Sequence, residues 1–137
     1  MSTLGAARSA LSTYLTEVAG LHCYGTVPGA IVTPAAIIAP NPAELADYEQ
    51  AQSSDLVLWY LRVVLLAGMV NLETAQNTMD DLLSTDSATS VPAAIRADPT
   101  LGGQVEYTEL KTAQRYGSTT WNGIDYLGAE LTVEISC

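Results

Sequence analysis

Basic side chains are scarce in this sequence. Arg8, Arg62, Arg96, Lys111 and Arg115 stand against fifteen acidic residues, giving a formal charge of −10 and a pI near 4.1. The five are spread along the chain rather than clustered. Affinity for nucleic acid comes mainly from phosphates neutralised by grouped lysine and arginine, so a chain of this kind should repel DNA rather than bind it. Histidine occurs once, at His22, and cysteine twice, at Cys23 and Cys137. A zinc site draws about four ligands from cysteine, histidine and carboxylate, more than this supply offers. His22 and Cys23 are adjacent and suggest a thiol–imidazole pair. If residues 21–24 form a strand, however, neighbouring side chains point to opposite faces and cannot share a proton. The two cysteines are far apart in sequence, so free thiols are expected, which suits folding in the cytoplasm.

Long hydrophobic runs are missing too. The longest spans eleven residues, 56–66, and contains Arg62, whereas a membrane-spanning helix needs roughly 18 to 20 apolar residues. The start, Met1-Ser2-Thr3-Leu4-Gly5, lacks the basic segment and apolar stretch of a secretion signal. A soluble chain without membrane attachment is expected. Gly102-Gly103 is a turn and fits neither a phosphate-cradling loop nor a dinucleotide fingerprint, both of which need a longer glycine pattern. There are no internal repeats, low-complexity tracts or linkers, and 137 residues fit a single domain, 1–137, able to bury somewhat under about 70% of its unfolded surface.

What is present begins with the run Leu56-Val57-Leu58-Trp59-Tyr60-Leu61-Arg62-Val63-Val64-Leu65-Leu66. It is apolar at both parities, so as a strand neither face is made for water. Helices must cover one side, and more of the chain or a neighbouring copy the other. Before it, Leu4, Ala7, Leu11, Tyr14, Leu15 and Val18 recur at steps of three and four, predicting a helix over 3–19 capped by Ser2 or Thr3 and ended by Gly20. Its other face carries Arg8, Ser12, Thr16 and Glu17. Short strands are expected at 21–24 and, between Pro34 and Pro40, at 35–39, with a turn at Val27-Pro28-Gly29. Residues 41–54 read as a polar loop or protruding hairpin. After the apolar strand, Asn71 caps a second helix bearing Leu72, Ala75, Met79, Leu82 and Leu83, followed by a loop at 84–87. A short third helix is predicted over 90–97, with Pro92 in its first turn and Asp98-Pro99 at its end. Leu101-Gly102-Gly103 turns into a strand over 104–115, and residues 116–125 read as a loop containing Trp121 and Gly123. In the last strand Leu127, Ala129, Leu131, Val133 and Ile135 alternate with Gly128, Glu130, Thr132, Glu134 and Ser136, one face for the core and one for water. The expected fold is α+β, a two-layer sandwich of a mostly antiparallel sheet with two main helices and one short helix.

No catalytic constellation emerges. Glu130 and Glu134 share a strand face, but four residues place them roughly 13 Å apart, beyond the ~5 to 9.5 Å of a glycosidase pair. Asp80-Asp81 reads as a solvated helix face rather than a cation site. No enzyme activity, cofactor or metal is expected. Among the aromatics, Trp59 and Tyr60 read as core, while Tyr48 and Trp121, both in polar loops, are candidate interface anchors, with Trp59 a further candidate at the apolar strand. The alternative for Trp121 is that it folds back over the edge of its own core.

Taken in order, several segments have a familiar sequence. They are Gly20-Leu21-His22-Cys23-Tyr24, Val27-Pro28, Pro34-Ala35-Ala36-Ile37-Ile38, the long apolar strand, residues 71–83, Ser90-Val91-Pro92-Ala93-Ala94-Ile95, Thr100-Leu101-Gly102-Gly103, and Tyr126-Leu127-Gly128-Ala129-Glu130-Leu131-Thr132-Val133. The pattern resembles the tail terminator proteins of long-tailed, non-contractile phages, especially those of actinobacterial hosts. It covers nearly the whole chain, as short segments rather than a catalytic signature. The resemblance implies a non-enzymatic virion protein, assembled in the host cytoplasm and residing in the neck of the tail. Such a protein forms a ring with itself, usually a hexamer, on the head-proximal end of the tail tube. Its partners are the tail tube protein on one face and the head connector or stopper protein on the other, and DNA passes through without specific binding. No individual functional residue transfers. Six copies would carry a formal charge of about −60, and an acidic channel would repel passing DNA. Glu106, Glu109, Glu130 and Glu134 are the channel candidates, and the plain alternative for the acidity is a solvated surface. A different neck component is the nearest rival. A monomeric ligand-binding module or an enzyme, marked by a convergent polar pocket, is the rival from another class.

Overall fold

The computed structural model describes residues 4–19, 21–24, 31, 33–41, 45–48, 57–68, 72–85, 90–121 and 123–136. Chain order is α1 (Leu4–Ala19), β1 (His22–Tyr24), β2 (Ala35–Pro40), β3 (Ala46–Asp47), β4 (Leu58–Gly68), α2 (Leu72–Leu83), α3 (Val91–Ala97), β5 (Tyr107–Trp121) and β6 (Ile124–Ser136). The strands form one sheet in the order β1-β2-β4-β6-β5, with β3 pairing β4 beside β2. Among the described residues only β1 and β2 run parallel; the other pairs are antiparallel. The α+β class holds. Among the described residues the helices pack on one face of the sheet; the other, which carries no described helix, is termed the open face, although Ala35, Ile37, Val64, Leu66 and Tyr126 on it are buried.

Strand alternation assigns the side chains. On the helix-covered face, Leu61, Val63 and Leu65 of β4 meet Leu131, Val133 and Ile135 of β6, and α1 adds Ala7, Leu11 and Leu15, all fully buried. From α2 come Ala75, Met79 and Leu82, and from α3 Val91, Ala94 and Ile95. Leu72, expected in the apolar stripe of α2, is exposed instead, because it opens the helix. The Tyr14 hydroxyl donates to the Ala94 carbonyl at 2.6 Å and ties α1 to α3. Ser90 caps α3: its hydroxyl accepts from the Ala93 N–H at 3.1 Å and donates to the Ser84 carbonyl, with Pro92 in the first turn.

The strand β4 runs from Leu58 to Gly68, two residues beyond the expected C-terminal end. Its open-face residues Val64 and Leu66 are 6% and 0% exposed within one copy of the chain. They pack with Ala35, Ile37 and Tyr126, and Tyr24, Ile31 and Trp121 close around them. The central part of β4 is therefore covered within one copy, the first of the two alternatives that its composition left open. Its first three residues, Leu58 to Tyr60, are only half-buried.

Two loops differ from expectation. Residues 116–121 are not a loop: β5 continues to Trp121, which pairs with Ile124 at the start of β6. The sequence there reads Asn122-Gly123, the dipeptide favoured by two-residue hairpin turns, and Gly123 has φ 76°. The stretch 41–54 contains the short strand β3. Its residues 42–44 and 49–54, the turn at 27–29, Leu56, the Asn71 cap, residues 86–87, Gly20 and Cys137 lie outside the described residues, as do Ser2 and Thr3.

Candidate functional site

Ionisable side chains gather on the open face at the β6 and β5 end of the sheet. Register places Glu130 and Glu134 of β6 beside Val64 and Tyr60 of β4 on one side, and Gln114 and Glu109 of β5 on the other. Arg62 donates to Glu130 Oε1 at 2.9 Å, and Arg115 Nε lies 3.5 Å from Glu130 Oε2. Lys111 Nζ sits 3.4 Å from both Glu109 and Glu134. Three of the five bases, scattered in sequence, are thus brought to one surface.

Two bulges in β5 arrange this. Between Leu110 and Thr112 the ladder skips Lys111, and between Gln114 and Gly117 it skips two residues. Arg115 there adopts φ 58°, a left-handed conformation that re-aims neighbouring side chains. Arg115 turns over Glu130, while the Tyr116 hydroxyl donates to Asp80 of α2 at 3.0 Å on the helix side. Glu109 and Glu134 are direct cross-strand partners, a like-charge pair that would repel. The ammonium shared between them offsets that repulsion. Hydrogen bonds to Glu109 and Glu134 in turn hold the Lys111 ammonium above its ordinary pKa.

This geometry bears on the acidic-channel candidates. Glu109, Glu130 and Glu134 do share one face, while Glu106 is exposed just ahead of β5. All three on the face have a basic partner within 3.5 Å. This row is nearly charge-balanced, so most of the chain's negative excess lies elsewhere.

The aromatic candidates separate. Tyr48 and Trp59 meet edge to face with ring centroids 6.2 Å apart; Trp59 packs against the main core and Tyr48 remains exposed. The buried Trp59 Nε1 has no hydrogen-bond partner among the described residues. Trp121 ends β5 and packs against the open-face cluster of Val64, Leu66 and Tyr126, so it folds back on its own domain. His22 is exposed, whereas Cys23 is half-buried against the main core, the opposite-face arrangement predicted for adjacent strand residues. Burial pushes the Cys23 thiol above its ordinary pKa, and a hydrogen bond with Thr16 opposes this only in part. It is a free thiol, poorly disposed to react.

The edge of the sheet was missed from sequence. Among the described residues β5 pairs with β6 alone, leaving a fifteen-residue strand at the border. A groove of about 450 Å³ runs between this strand and α3. Among the described residues there is no cluster of three or more His, Cys, Asp or Glu able to hold a metal, and no helix long and apolar enough to cross a membrane. No protein-family model matches the chain, and no curated protein matches it.

Proposed function

We propose that this chain is a structural protein that forms a ring with copies of itself and caps the head-proximal end of a phage tail tube, as the resemblance to tail terminator proteins implies. The observation that carries the reading is the placement of its uncovered apolar side chains. Leu45 and Tyr48 lie at the β3 border of the sheet, and Tyr107, Tyr116 and Ile124 lie on the β5–β6 hairpin at the other. Tyr48 and Ile124 are 58% and 57% exposed. Single exposed apolar residues are ordinary, but large ones at opposite borders of a sheet suit lateral contacts between subunits. The ordered succession of elements, a two-layer frame and an acidic composition that would not hold passing DNA accord with the same role.

The test is assembly. The full chain, alone and with purified tail tubes of a long non-contractile-tailed phage, is examined by solution mass and negative-stain imaging. An annular particle of about six copies that stops addition of tube subunits is the expected result. A monomer at high concentration that leaves tube growth unchanged refutes the proposal.

A further inference from the structure

The groove beside β5 follows the edge of that strand and reaches inward to Leu131 of β6 on the helix-covered face. Seven consecutive residues, 107–113, line it, and a strand shows both parities only from its edge. The opposite wall comes from α3 and the turn after it, with Ile95, Arg96 and Pro99. Thr108 lines the groove, is 2% exposed, and its hydroxyl has no hydrogen-bond partner among the described residues. A buried hydroxyl left unmatched is unfavourable and is usually resolved by a partner. Arg96, exposed on the wall, forms no ion pair among the described residues. In a chain of charge −10 this wall offers a cation with no ion-pair partner among the described residues, while Glu109 and Lys111 on the β5 side of the groove pair with each other. The ladder is regular from Tyr107 to Leu110 and bulged from Lys111 onward, so the edge offers a template of four residues.

A segment of matching length and sign lies at the other border. Residues 45–48 include β3 and present Leu45 and Tyr48 to solvent, with Asp47 between them in sequence. The stretch 41–55 carries Glu44, Asp47, Glu49 and Asp55 and no base. Because β3 and β5 occupy opposite edges of the sheet, a contact between them cannot form within one copy but can repeat from copy to copy.

Building on the ring reading, we propose that the β5 groove of each copy takes up residues 45–48 of the next in extended form, with Arg96 facing the acidic segment. The contact is strand addition at a sheet edge. It is also heterologous, joining unlike surfaces, and this is the kind of contact that closes into rings.

Charge exchange tests it. R96E and D47K are made separately in the full chain, and far-UV circular dichroism and thermal melts matching the parent show that each folds. Assembly is followed by solution mass and negative-stain imaging with purified tail tubes present. Each variant alone should associate at least about tenfold more weakly than the parent. An equimolar mixture should reassemble, since the acidic groove of R96E then receives the basic segment of D47K, and the unaltered groove of D47K receives the unaltered segment of R96E. If both variants form rings like the parent, or if both fail and the mixture does not recover, the proposed contact is wrong while the ring reading stands. If the parent itself forms no ring with tubes, the ring reading falls, and this contact with it.

Discussion

Replacing Gly128 by alanine should destabilise this protein, although the same change at many strand positions does the opposite. Gly128 is buried on the open face of β6, opposite Leu66. Its backbone is not in the left-handed region, so alanine could adopt its conformation. In open space the change would stabilise by about 0.4–1 kcal/mol through the unfolded chain. Here a Cβ would lie 2.9 Å from Thr119 Cβ and closer still to Thr119 Oγ1, with Leu66 Cδ2 at 3.3 Å. The Leu66 methyl can swing away, but Thr119 Cβ is fixed by the backbone of β5. Overpacking of this kind typically costs about 1–3 kcal/mol, so the net expectation is a loss of about 1–2 kcal/mol, with a fall in melting temperature of roughly 3–8 °C. Urea titration and thermal melts measure it. A double-mutant cycle with Thr119→Gly isolates the cause, and G128A should cost little or become favourable once residue 119 lacks a Cβ. An unchanged or raised stability of G128A in the parent, or an equal loss in both backgrounds, would refute the argument.

Glu130→Gln keeps volume but removes the charge that Arg62 and Arg115 share; with the Glu130 side chain only 15% exposed, a loss of about 1–2 kcal/mol is expected in urea. Arg115→Ala, removing a partner 69% exposed, should change stability by less than about 0.5 kcal/mol, and equal effects would contradict the geometry. Ser90→Ala removes the cap of α3 at a fully buried position and should cost about 1–2 kcal/mol. Asp98 accepts from the Thr100 hydroxyl and from the N–H groups of Thr100 and Gly102, led by the Thr100 hydroxyl, which holds its carboxyl below the usual range. Its stabilising contribution is therefore full above the unfolded carboxylate pKa and is lost as pH falls through the lower folded value. Stability of D98N, followed by urea titration between about pH 5 and pH 2, should fall less steeply than that of the parent. In a Cys137→Ser background, the Cys23 thiol should react with a disulfide reagent near pH 8 at least about tenfold faster after unfolding in urea; equal rates would contradict its burial.

Periodicity carried most of the fold. The stripe of Ala7, Leu11 and Leu15 set α1, the alternation through Leu127 to Ile135 set β6, and Ser90 with Pro92 set the start of α3, since each signal is local to its element. The hairpin at Gly123 was legible too, in Asn122-Gly123, but polar residues 116–120 looked like loop because an edge strand can be exposed along most of its length.

What the sequence alone decided was the class of the fold, the scarcity of reactive groups and the sign of the surface, all of which follow from composition and spacing. Tertiary structure decided which charges meet and which apolar surface stays open. Arg62, Lys111 and Arg115 are distant or irregularly spaced in the chain and converge only because β4, β6 and β5 are neighbours and β5 is bulged. What packs around Val64 and Leu66 was not legible, because nothing local announces that Ile37, Tyr126 and Trp121 join them in one cluster. Pairing between strands joins residues far apart in the chain, and a linear pattern carries no record of its neighbour across the sheet.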